Sequence, residues 1–180
     1  KAIEIKPDYA EAYSNLGGAL RTLGKLDAAV TNFNKAIIIK PDYAGAHYNL
    51  GITLNELGKY DEAVASYNQA IAINPDYTEA NNNLGNALQE LGKSDEALAS
   101  FSKALAIKPD YVDAAWNAVG TASSITEAQN WVERCLLADA SHENAKLTLA
   151  ALKAYQGDRT DFENLIESSV KDHPYVRSFI

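Results

Sequence analysis

Cys135, His142 and His173 are the residues whose types could do covalent chemistry, since a thiol activated by an imidazole is a strong nucleophile. Their positions argue against it. Cys135 falls where comparable segments carry Ala36, Ala70 and Ala104, so a small, buried packing residue is expected there. One cysteine and three scattered histidines make no metal-ligand spacing. His47 stands where an earlier segment has Tyr13, at a helix-packing position. Gly17-Gly18 neither follows a strand nor leads into Gly-Lys-Ser/Thr, so it is not a phosphate loop. We therefore expect no enzyme: no catalytic residue, no metal and no cofactor. Asparagine is the chemically useful residue that does recur on a beat, as Asn15, Asn49, Asn83 and Asn117, one every 34 residues. An amide both donates and accepts hydrogen bonds, so a row of them can hold an extended backbone whatever its side chains.

The elements that must position this row are marked by Pro7-Asp8-Tyr9, Pro41-Asp42-Tyr43, Pro75-Asp76-Tyr77 and Pro109-Asp110-Tyr111, again 34 residues apart. Such a period belongs to a helix-turn-helix repeat that cannot bury its apolar face alone and must stack. Three full repeats span 10–43, 44–77 and 78–111. Residues 1–9 read as the end of a preceding repeat, because Ala2 lies five residues before Pro7 as Ala36 lies before Pro41. With no Met anywhere, the chain is expected to be a piece of a longer protein. Residues 112–142 read as a degenerate repeat whose turn has lost about three residues, Ala128 standing 31 after Ala97. Residues 143–172 read as a degenerate helix pair or cap, Glu143 to Gln156 and then Asp161 to Lys171. Residues 173–180 read as a tail or linker.

Within each full repeat the first helix carries Leu16-Gly17, Leu50-Gly51 or Leu84-Gly85, where a small residue lets the partner helix approach. That helix is expected to stop at Gly24, Gly58 or Gly92. Asp8 with Glu11, and Asp76 with Glu79, have capping-box spacing at its start. The second helix alternates small and aromatic residues: Ala29, Phe33 and Ala36; Ala63, Tyr67 and Ala70; Ala97, Phe101 and Ala104. A proline then ends it. On these marks residues 10 to 111 resemble the tetratricopeptide repeat family, which implies an all-α, right-handed solenoid of stacked antiparallel helix pairs.

In that family the first helix lines the concave side of the superhelix. The resemblance makes Asn15, Asn49, Asn83 and Asn117 a concave ladder, similar to the asparagine ladder in the repeat region of O-GlcNAc transferase. Tyr48, Asn55, Asn82, Asn86 and Trp116 are the neighbouring candidates for peptide binding. Tyr48 and Trp116 could offer pockets to apolar or aromatic side chains. For Trp116 a turn into the core stays open, because Ala115 holds the place where the family often has an aromatic. A carboxylate clamp is not expected, since Ser14, Gly18 and Glu79 occupy clamp positions and Glu79 would repel an acidic tail.

The bulk numbers agree. A formal net charge of −8 and a pI near 4.8 argue against nucleic acid or an anionic membrane surface as partner. No apolar run nears the roughly 20 residues that span a bilayer, and the single cysteine fits a reducing, cytoplasmic setting. The expected function is a non-catalytic scaffold for protein–protein interaction, holding a protein or peptide in extended conformation. Two other readings stand beside it. The repeats are the substrate-recruiting region of a larger glycosyltransferase or methyltransferase, or they self-associate end to end through Ile3 and Ile5.

Overall fold

A computed structural model describes residues 9–158 and is all helical over them. The helices are α1 (Ala10–Thr22), α2 (Leu26–Ile39), α3 (Ala44–Glu56), α4 (Tyr60–Ile73), α5 (Thr78–Glu90), α6 (Ser94–Ile107), α7 (Val112–Val119), α8 (Ile125–Ala138) and α9 (Glu143–Tyr155). The truncated repeat before Tyr9, the helix expected over Asp161–Lys171 and the tail 173–180 lie outside the described residues. The chain divides into two compact units, 1–108 and 109–180.

In the first unit, α1 packs on α2, α3 on α4 and α5 on α6, and each pair meets the next through its second helix. The second helices bury residues at spacings of four and three. Ala29, Phe33 and Ala36 are fully enclosed, as are Ala97, Phe101 and Ala104, and Tyr67 between Ala63 and Ala70 is 1% exposed. This one-sided stripe gives a helix a face to bury. The expected close approach is real. A Cβ built on Gly17, Gly51 or Gly85 would stand 2.8, 2.6 or 2.4 Å from the ring of Phe33, Tyr67 or Phe101.

Gly24, Gly58 and Gly92 end the first helices at φ of 71–72°, a left-handed turn in which a Cβ is unfavourable. The next amide then reaches back to close the helix, as Lys25 N–H donates to the Leu20 carbonyl at 2.9 Å. The second helices stop at Lys40, Asn74 and Lys108, which adopt φ near −130° directly before proline.

The helix starts differ from expectation. The N-cap of α5 is Tyr77 and no side chain caps it, so the Asp76–Glu79 box does not form. The helix begins one residue later than the box needs, which places Glu79 at the second helical position rather than the third. In α1 the cap is Tyr9, whose hydroxyl donates to Glu11 Oε2 at 2.9 Å, while Asp8 lies outside the described residues.

In the second unit α7 packs on α8 and α8 on α9 around Ala114, Ala115, Ala118, Val132, Cys135, Ala145 and Ala150. Side chains cap α8 and α9, whereas α7, with Tyr111 at its start, has no side-chain cap. Ser124 Oγ accepts from Glu127 N–H at 3.2 Å, and the Glu127 carboxylate takes the Ser123 amide and hydroxyl at 2.9 and 2.8 Å. Those bonds hold the Glu127 carboxyl below its ordinary pKa. His142 Nδ1 accepts from Ala145 N–H at 3.1 Å, and Gly157 at φ 103° closes α9 where the sequence places its stop.

Candidate peptide-binding face

The candidate residues of the first unit stand on α1, α3 and α5, the first helix of each repeat. Side-chain links join these helices. Arg21 Nη1 on α1 lies 3.7 Å from Glu56 Oε1 on α3. Asn83 Nδ2 on α5 donates to the Tyr48 hydroxyl on α3 at 3.2 Å, and Asn82 Nδ2 donates to Asn83 Oδ1 at 3.3 Å. Both hydrogen-bonding sides of the Asn83 amide are therefore engaged.

Tyr48 is half-buried and braced by two further rings, with centroids 4.8 Å from Tyr77 and 6.1 Å from Tyr67. Burial, and then the charge of Glu79, raise its phenol pKa, while the bond from Asn83 works in the opposite direction. Burial and the neighbouring Tyr48 push Tyr77 up to about 12, and burial raises Tyr67 as well. At neutral pH this is a cluster of protonated phenols, able both to donate and to accept.

The amide row is unequal along its length. Asn15 is exposed and Asn49 half-buried, and neither side chain has a hydrogen-bond partner among the described residues. Asn83 is tied to Tyr48, whose side chain is long enough to reach from the second repeat to the asparagine of the third. The matching place in the first repeat is Ser14, which is 5% exposed. Asn86 is half-buried, and Asn82 is 5% exposed beneath Asn83. The Oδ1 atom of Asn55 is buried with no hydrogen-bond partner among the described residues. Asn117 and Trp116 belong to α7 in the second unit. There Asn117 is half-buried, and the Trp116 ring packs on His142 at 4.9 Å while Ala115 is fully enclosed.

Two residues outside the candidate set support this face: Tyr77, and Tyr67, which is buried on the second helix α4 and braces Tyr48 from the core side. A signal existed for Tyr67, which adds a hydroxyl where Phe33 and Phe101 have none. Asn81 also escaped notice. It is 1% exposed and donates to the Tyr77 carbonyl at 3.0 Å, a structural role at the place of Tyr13 and His47.

The cysteine and the described histidines are occupied structurally. Cys135 is fully enclosed, and burial, followed by the charges of Asp139 and Asp113, pushes its thiol pKa up, away from the thiolate. His142 spends Nδ1 on its helix cap and a ring face on Trp116. His47 Nε2–H donates to the Pro41 carbonyl at 3.0 Å. Among the described residues no three His, Cys, Asp or Glu side chains gather into a metal-binding group, and no helix is long and apolar enough to cross a membrane.

Comparison with known proteins adds the family. No curated protein sequence matches the chain. Among solved structures it is similar to YrrB, described as a TPR protein with an unusual peptide-binding site, at 21% identity over 97% of this chain and 91% of that one, TM-score 0.76. It is similar to MamA from Desulfovibrio magneticus RS-1 at 16% identity over 91% and 96% of the two chains, TM-score 0.78. The first TPR of Spaghetti (RPAP3), bound to the HSP90 peptide SRMEEVD, matches at 25% identity over 62% of this chain and 89% of that one, TM-score 0.61. Family models described as TPR repeat match residues 17–55 and 53–92, and one described as tetratricopeptide repeat matches 78–111. With more than half of its length so matched, and with its helices paired and stopped as the repeats require, the chain belongs to the tetratricopeptide repeat family.

Proposed function

We propose that the first unit binds an extended polypeptide across α1, α3 and α5, with the asparagine row holding the partner's main chain. The family and fold support a protein-interaction module, and the described similarity to peptide-binding TPR proteins supports a peptide ligand. One observation carries the finer reading. The half-buried Asn49 amide has no hydrogen-bond partner among the described residues, although it sits one residue from the braced Tyr48 and in register with Asn83. An amide that is partly exposed and not used by its own chain can exchange water for the backbone of a ligand. Asn15 and Asn86 extend the row to either side, while Asn82 acts from beneath by holding Asn83. On α7 of the second unit, taken by itself, Asn117 and the uncovered part of the Trp116 ring are candidate contacts for a polypeptide.

The test uses linear peptides isolated from a random display library against the full chain. Beside its bonds to Tyr48 and Asn82, Asn83 keeps one N–H and one lone pair, so changing Asn49 and Asn83 together to Ala removes two ligand bonds of about 0.5–1.5 kcal/mol each and affinity falls about five- to a hundredfold. The loss is similar for peptides of unrelated sequence, because the contact is to main chain. Calorimetric titration reads the affinities and circular dichroism the fold. Unchanged affinities would remove the backbone grip, and an unfolded double variant would make the row structural.

A further inference from the structure

We propose that Glu79, Tyr48 and Asn83 together seat a lysine or arginine side chain of the bound polypeptide, an inference that rests on the binding face proposed above. Glu79 and Asn83 are four residues apart on α5 and so share one face of that helix. Asn83 in turn donates to the Tyr48 hydroxyl at 3.2 Å, which brings the Glu79 carboxylate to the neighbourhood of the phenol oxygen. A phenol oxygen has two lone pairs. The Asn83 bond uses one and leaves the other for an incoming N–H donor. The ring cannot drift, because Tyr77 and Tyr67 brace it. The charge of Glu79 is felt at the phenol, whose pKa it helps to raise, while the more weakly felt charge of Arg21, which is paired with Glu56, acts in the opposite direction.

Glu79 is exposed and has no cationic partner among the described residues, where Arg21 pairs with Glu56 instead. The wider face has the same sign. Helices α1, α3 and α5 carry Glu11, Glu56, Glu79 and Glu90 against Arg21, and none of them contains a lysine. Among the described residues of this unit the lysines stand on the second helices or in the turns: Lys35 and Lys103 on helices, and Lys25, Lys40, Lys59, Lys93 and Lys108 between them. A partner lying across the first helices therefore meets carboxylates and amides, and a basic side chain is the complement that Glu79 lacks. An acidic segment such as the one bound by the Spaghetti repeat would meet repulsion at this place.

The experiment pans a random linear peptide library on the full chain and measures the retained peptides by fluorescence anisotropy. The retained peptides are expected to share a Lys or Arg, and Glu79→Gln to weaken them about two- to fivefold, the range of an exposed ion pair. Replacing the shared basic residue by Gln should cost the same factor, and the two changes together no more than either alone. Glu62→Gln, an exposed change on α4, controls for overall charge and should have no effect. Peptides without a basic residue, indifference to Glu79→Gln, or an equal loss with Glu62→Gln would each overturn the seat while leaving the binding face intact. A library from which the wild-type chain retains nothing would remove the binding face and the seat with it.

Discussion

The edge of the Phe33 ring occupies the space that a side chain at Gly17 would need, its Cε1 atom 2.8 Å from where a Cβ would stand. Phe33 is fully enclosed between Ala29 and Ala36, so the ring has nowhere to retreat. The neighbouring Gly18 has no atom within 4 Å of its would-be Cβ.

Adjacent glycines on one helix should therefore answer the same substitution with opposite signs. Gly17→Ala overpacks the contact and should lower stability by about 1–3 kcal/mol. Gly18→Ala meets no obstacle and should raise it by about 0.5–1 kcal/mol through helix propensity. Thermal and urea unfolding of the two variants reads the difference. Equal signs would mean that α1 and α2 do not touch at Gly17.

Tyr77 predicts an alkaline loss of stability. Its phenol ionises at about 12 when folded against an ordinary 10.0, so folding favours the neutral form. That contribution is fully present below pH 10.0 and is lost as the pH rises towards about 12. Tyr77→Phe cannot ionise and should lose less stability across that window, although both chains also feel lysine titration. Unfolding measured along the pH series, with phenolate absorbance, separates the two curves. Parallel curves would place Tyr77 in solvent.

Cys135 should behave as packing rather than as a nucleophile. In the folded chain a thiol reagent should modify it only as fast as the second unit opens, and at once in denaturant. Cys135→Ala should be mild, since Ala36, Ala70 and Ala104 fill the same place. Cys135→Ser buries a hydroxyl and should cost about 1–3 kcal/mol unless it finds a partner. Fast labelling of the native chain would contradict the burial.

The parts of the fold legible in the sequence are those where one residue type answers a local demand. Gly24, Gly58 and Gly92 announce left-handed helix ends, and the prolines announce extended residues before them. Cap chemistry was less legible. Asp76 and Glu79 have the spacing of a box, but the turn that brings Tyr77 N–H to the Asn74 carbonyl starts α5 one residue too late. The Ser124 and His142 caps sit in the degenerate region, where the 34-residue beat no longer sets the register. The link from Tyr48 to Asn83 was beyond reach, because it joins residues 35 apart through the angle between two repeats. The row of asparagines was visible as a pattern. What the sequence could not reveal is that Asn83 already bonds to Tyr48 and Asn82, while Asn49 has no side-chain hydrogen bond among the described residues.

The contact between glycine and ring lies wholly inside one repeat, whereas the bonds of Tyr48 and Arg21 cross from one repeat to the next. A gene in which residues 44–77 and 78–111 changed places would keep all three intrarepeat contacts. It would separate Tyr48 from Asn83 and set Asn83 after the short Ser14. Shuffling and duplication can thus rewrite what such a chain recognises without revisiting how each cassette folds.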